Sequence, residues 1–191
     1  MRQVDALLEF WFGAGDTPSA ARRTLWFAQN PDFDRSCETR FRDDYEAAAA
    51  GKLDSWKDNA RGCLALILLL DQIPRNVFRN SPRAFATDRK AGIAARHAIE
   101  RGYDRELTPW QRMFLCMPFQ HSEELDDQQE SMRLSSELEA SAPEVAGAVE
   151  YARAHFTIIR RFGRFPHRNA ILGRESTTEE ADFLRDHGDS F

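Results

Sequence analysis

Apolar residues along this chain recur at spacings of three and four, the period of helices with one buried face, and runs of alternating β-branched residues are absent. Val4, Leu7, Leu8, Trp11 and Phe12 line one face of a helix over residues 4–12, and Gly13 supplies its stop. A second helix is predicted over about residues 19–29, around Leu25, Trp26 and Phe27. A third spans about 31–50, where Phe33, Cys37, Phe41 and Tyr45 form a core stripe four residues apart. The fourth, about 55–73, is nearly continuous in Leu and Ile across 64–70, which marks it as central, and Pro74 is expected to end it. Thr87 or Asp88 can cap a fifth helix that reaches Arg101 before Gly102. Thr108 and Pro109 are a cap and a first-turn proline for a sixth, which Pro118 should bend or break. Stretches at about 123–140, 143–161 and 178–187 complete an all-α array of about nine helices.

Residues 47–56 and 98–110 share a form: an alanine-containing helix end, a glycine, a polar turn and a Trp leading the next helix. The pattern suggests a weak repeat of helical hairpins, as in tetratricopeptide-type stacks, although its period is longer than theirs.

Composition adds size and compartment. With 191 residues, 42% of them hydrophobic and 14 of them Phe, the chain can bury one substantial core, so residues 1–191 are expected to form a single domain. Charged residues make up 30%, and the longest apolar run, 63–70, is far short of the roughly 20 residues that cross a bilayer. The amphipathic pattern begins directly after Met1 and Arg2 with no secretory leader, so a cytoplasmic location is expected. Cys37, Cys63 and Cys116 form no CxxC pair and are expected to be buried, reduced thiols.

Charge changes the picture more. The net charge is -5, yet residues 151–174 hold six Arg and no acid, which leaves the remainder with 20 basic against 31 acidic residues, a balance of -11. An acidic chain with few lysines argues against a nucleic-acid partner.

Three segments set polar groups beside apolar helices. In the first, Asp71-Gln72-Ile73-Pro74-Arg75-Asn76, a carboxylate, two amides and a guanidinium sit at the end of the most buried helix. Arg75 and Asn76 could equally serve the free carbonyls of that helix end while Asp71 pairs with an Arg. In the second, Pro118-Phe119-Gln120-His121-Ser122-Glu123, His121 could be an acid, base or ligand, with an ordinary pKa near 6.5, and Ser122 could cap the next helix. The third, residues 160–169, is preceded by His155 and carries Arg164, His167, Arg168 and Asn169 among phenylalanines, a pattern suited to an anion; its arginines could instead balance acids elsewhere. Signatures of P-loops, dinucleotide folds, serine hydrolases and zinc proteases are missing, no two of His121, His155 and His167 are four residues apart, and neither a metal nor a cofactor is expected.

At these segments the chain resembles a bacterial family of uncharacterised proteins, domain-of-unknown-function family nine-two-four. The likeness rests on Leu8-Glu9-Phe10-Trp11-Phe12-Gly13, on residues 70–76 and 82–88, on Met117-Pro118-Phe119-Gln120-His121-Ser122-Glu123 and on residues 161–174. It implies a tetratricopeptide-like helical fold and brings no activity, cofactor or catalytic residue. In that family Phe is common where Ile73 stands and Glu where Gln120 stands.

The residues alone support a helical binding protein whose concave region, lined by Arg75, His121, Arg164, His167 and Arg168, receives a small anion or an acidic peptide terminus. Two rivals stand beside it. One is a hydrolase-like or lyase-like enzyme in which Asp71 or Glu123 orients His121, His155 or His167, which requires such a pair within hydrogen-bond reach. The other is a structural protein whose polar segments lock helix ends while a surface meets a partner protein.

Overall fold

The computed structural model describes residues 2–15 and 17–187; Met1, Asp16 and residues 188–191 of the expected 1–191 span lie outside that description. The chain is all-α, with no strand among the described residues. Helices α1 (Arg2–Phe12), α2 (Ala20–Phe27) and α3 (Pro31–Ala49) follow the predicted pattern. Ser19 caps α2 through its hydroxyl, and the Asn30 side chain accepts from two backbone amides to open α3.

The long fourth helix expected from the Leu-rich run is not one regular element. Residues Asp54–Asp58 form a 3-10 turn, Asn59 caps a short α4 (Ala60–Ile67), and the chain then widens into a π turn at Leu68–Gln72 before resuming as α5 (Ile73–Val77). Pro74 therefore does not end the helix. It occupies the first turn after the π segment, where a missing N–H is tolerated. Three successive carbonyls there are met by side chains: Leu70 by the Thr87 hydroxyl at 2.5 Å, Asp71 by the Arg75 guanidinium and Gln72 by the Asn76 amide at 3.0 Å. The capping alternative for Arg75 and Asn76 is thus realised, and Thr87 spends its hydroxyl on Leu70 rather than on its own helix.

Helix α6 (Asp88–Glu100) ends at Gly102, whose φ of 72° suits glycine. Helix α7 (Pro109–His121) opens with a capping box between Thr108 and Gln111 and continues through Pro118, which does not break it. Next comes α8 (Leu125–Ser141). The predicted 143–161 helix splits into a 3-10 turn at Pro143–Val145 and α9 (Ala148–Phe162), with Gly147 at φ 97° between them. Helix α10 (Asn169–Leu172) was not foreseen, and α11 (Thr178–His187) was.

Leu64 through Leu70, Trp11, Phe114 and Leu115 lie within the core, and α4 touches α1, α6 and α7. The Phe33, Cys37, Phe41 and Tyr45 stripe is buried, and all three cysteines are buried thiols. Among the described residues no helix is long and apolar enough to cross a membrane. Helix α8 packs between α7 and α9, and a satellite cluster of Leu138, Ala142 and Val145 against Trp110 and Met113 lies at one end of this layer. That arrangement leaves a hollow beside α7.

Candidate functional site

The hollow is a cavity of about 370 Å³. Its apolar wall comes from Trp26 at the end of α2, Trp110, Met113 and Met117 on α7, and Leu134 and Leu138 on α8. Its polar end is formed by Gln72, Arg75, Gln120, His121 and His155. Phe27 and Tyr151 also line it and are 63% and 62% exposed, so they mark its edge, with their rings stacked 6.5 Å apart.

The polar end is built on the π turn. Widening the helix at Leu68–Gln72 carries the fully buried Asp71 toward α7, where its Oδ1 meets His121 Nδ1 at 2.8 Å and its Oδ2 accepts from the Gln72 amide at 2.5 Å. Burial pushes the Asp71 carboxyl up, but the Arg75 guanidinium, His121 and the Gln72 hydrogen bond outweigh it and hold Asp71 below the usual carboxylate range. His121 is lowered from its ordinary value, by burial first and by Arg75 second, despite the pull of Asp71. At neutral pH the pair is a carboxylate and a neutral imidazole. Its Nδ1 proton points at Asp71, and Nε2 keeps its lone pair. His121 lines the cavity, whereas Asp71 stands behind it.

His155 lies next to this pair, 6.5 Å from His121 between ring centres, with Nδ1 donating to the Tyr151 carbonyl at 2.9 Å. Burial drops its pKa to about 4, against the pull of that carbonyl. The Gln120 amide lies 3.4 Å from the same ring nitrogen.

The expected convergence of Arg75, His121, Arg164, His167 and Arg168 on one concave region does not occur. Arg75 and His121 line the cavity; the other three do not. Arg75 grips Asp88 with both arms at 2.9 Å, and Asp88 also receives Arg168 at 3.3 Å. Arg168 is buried between the Phe85 and Phe165 rings, and burial, followed by Arg75, lowers its pKa to about 10. Arg164 holds Glu180 through two hydrogen bonds of 2.7 and 2.8 Å, and buried Asn169 donates to Glu180 and Ser176. Glu123 accepts from Arg174 at 2.7 and 3.0 Å and from the Phe165 amide at 2.8 Å. His167 sits against the Phe165 ring, its pKa lowered to about 4 chiefly by burial. Asn76 serves the Gln72 carbonyl. Ser122 accepts from the Glu124 amide ahead of α8 and donates to Asp127. Four arginines of the acid-free segment, Arg161, Arg164, Arg168 and Arg174, are thus paired from elsewhere, by Glu179, Glu180, Asp88 and Glu123.

Sequence reasoning missed the wall of the cavity and the part played by Asp88. Trp26 and the Trp110 that leads the sixth helix stood out only as helix residues, and nothing in their spacing separates a wall from a core. Asp88 did lie within the 82–88 motif, but as a helix cap. Among the described residues no three of His, Cys, Asp and Glu are grouped as ligands of a metal ion would be.

Fold and site together define an all-helical protein with an amphipathic cavity that ends on a buried carboxylate–histidine pair. The chain belongs to the family described as bacterial protein of unknown function (DUF924), whose model matches residues 7–188. It is similar to the solved structure of a protein of unknown function from Agrobacterium tumefaciens, with 39% identity, 97% of this chain and 98% of that chain covered, and a TM-score of 0.86. No curated protein matches it.

Proposed function

We propose that the protein is a small-molecule enzyme of the acid–base type in which His121 is the general base, oriented by Asp71, at the polar end of the cavity. The observation that carries the reading is the 2.8 Å bond from a fully buried carboxylate to an imidazole that itself lines a 370 Å³ hollow. Asp71 fixes the tautomer and steadies the imidazolium that forms when Nε2 takes a proton, as a carboxylate does behind any catalytic histidine. A hydrolytic step fits best. His121 takes a proton from water, the resulting hydroxide adds to an acyl carbon, and the proton returns to the leaving group. Cys116 on the wall is no rival nucleophile, because burial pushes its thiol up to about 12.

The paired turns support a tetratricopeptide-like reading of the scaffold. After α3 and after α6 the chain passes a left-handed glycine, Gly51 or Gly102, and a 3-10 turn before the next capped helix. A small anion at the cavity is the second reading. It rests on Arg75, whose guanidinium is already engaged by Asp88 and Asp71.

The test is hydrolysis of 4-nitrophenyl butyrate. Wild-type protein should exceed free imidazole at equal concentration, and His121→Gln should lower kcat/KM by roughly 100-fold or more. Because only neutral imidazole is a base, the rate should fall as pH drops through the His121 pKa, which lies below 6.5. A folded His121→Gln protein that keeps the wild-type rate, or a wild type no faster than imidazole, would sink the proposal.

A further inference from the structure

The charges around the cavity set what can enter it. Of its described lining residues Arg75 alone carries a formal charge at neutral pH, and no carboxylate reaches the wall. Arg75 and Arg168 are offset by Asp71 and Asp88, to which Arg75 is joined on both sides, so the cluster is neutral as a whole. The remaining polar lining includes two amides, Gln72 and Gln120, two serines, Ser131 and Ser135, the Cys116 thiol, the Tyr151 hydroxyl, the Trp110 indole and two imidazoles, all of them uncharged groups. A carboxylate or ammonium brought here would lose its water without a free counter-charge. A neutral carbonyl or amide loses much less and finds donors and acceptors of its own kind.

The rest of the cavity asks for an apolar body. Trp26, Trp110, Met113, Leu134 and Leu138 form its wall, and the exposed Phe27 and Tyr151 extend that surface to the solvent edge. Its volume lies at the lower end of the range of about 300–1,000 Å³ typical of small-molecule sites.

We infer that the site selects an uncharged amphipath, an ester or amide with a medium-length apolar chain, over the matching carboxylate or ammonium. The inference rests on the general-base reading of His121 and narrows it. The hydrolysis product would be a carboxylate, disfavoured where it forms, so the same neutrality would help product leave.

The experiment is calorimetric titration of the full-length protein near neutral pH with octanamide, octanoate and octylammonium. Octanamide should bind about tenfold or more tightly than either ion. Leu138→Phe, which narrows the buried wall, and Ala148→Phe, which narrows it near the N-terminus of α9, should each weaken octanamide while unfolding as cooperatively as wild type. Ala148→Phe keeps the test open if Leu138→Phe fails to fold. Octanoate or octylammonium binding as tightly as octanamide overturns the inference, as does absence of octanamide binding or binding unchanged in the folded variants. Ester hydrolysis is scored separately. Hydrolysis through His121 with indifferent binding removes the selectivity and keeps the base, whereas selective binding with His121→Gln still fully active does the reverse.

Discussion

At the scale of single residues, the site depends on which imidazoles are neutral and what holds them so. His121 has a carboxylate on Nδ1, whereas His155 has a backbone carbonyl there and an amide, Gln120, at 3.4 Å. A carboxylate at position 120 would stabilise the charged ring that burial now opposes. Gln120→Glu is therefore expected to raise the His155 pKa from about 4 toward or above its ordinary 6.5, as followed by NMR titration of its ring signals. An unchanged His155 titration would mean that the two side chains are not coupled. The side chains with chemistry were legible in the sequence, because Asp71, His121 and Arg75 stood out as polar groups beside apolar runs. Their pairing was not, since Asp71 and His121 are 50 positions apart and nothing local distinguishes Asp71 from Glu123 as the partner.

At the scale of elements, periodicity and capping residues placed most helices within a few positions, because one buried face per helix is written directly into the spacing of Leu, Phe and Trp. The exceptions do not share one cause. Pro74 reads as a stop and Pro118 as a bend or a break, yet Pro74 lies in the first turn of α5 and α7 continues through Pro118. Gly62, inside α4, marks a close approach, where an added Cβ would lie 2.3 Å from the Trp56 carbonyl oxygen. The π turn at Leu68–Gln72 leaves no signature in a Leu-rich run and needs donors from outside the helix. Thr87 supplies one, and it is buried. Thr87→Val keeps the shape but leaves the Leu70 carbonyl unmet, which should cost about 1–3 kcal/mol, with Thr87→Ser recovering most of it. In thermal unfolding that loss corresponds to a fall in Tm of roughly 2–12 °C. A Val variant as stable as wild type would show that the hydroxyl does not support the π turn.

At the scale of the whole molecule, three arginines of the six-arginine segment join distant parts of the chain, while Arg153, Arg160 and Arg161 are exposed. Arg168 reaches Asp88, Arg174 reaches Glu123, and Arg164 anchors α11 through Glu180, whose pKa is drawn down to about 2, by the Arg164 hydrogen bond above all. This wiring encloses neutral histidines, and their burial makes the fold sensitive to mild acid. The folded pKa values of His155 and His167 are lowered to about 4 against an ordinary 6.5, and His121 moves in the same direction. Between those pH values the unfolded chain binds more protons than the native one. Stability is therefore complete above about pH 6.5 and declines as pH falls toward 4. For His155, which is 7% exposed, a drop from 6.5 to about 4 corresponds to about 3 kcal/mol. Glu180 adds its own loss only lower, from the ordinary carboxylate value of 4.5 down toward 2. Urea unfolding at a series of pH values should thus show a decline that begins near pH 6.5, well above carboxylate titration, and is shallower in His155→Gln. A stability profile flat from pH 7 to 5 would mean that the native and unfolded chains bind protons alike there, so that these imidazoles titrate inside the fold near their ordinary value and their burial confers no sensitivity to acid.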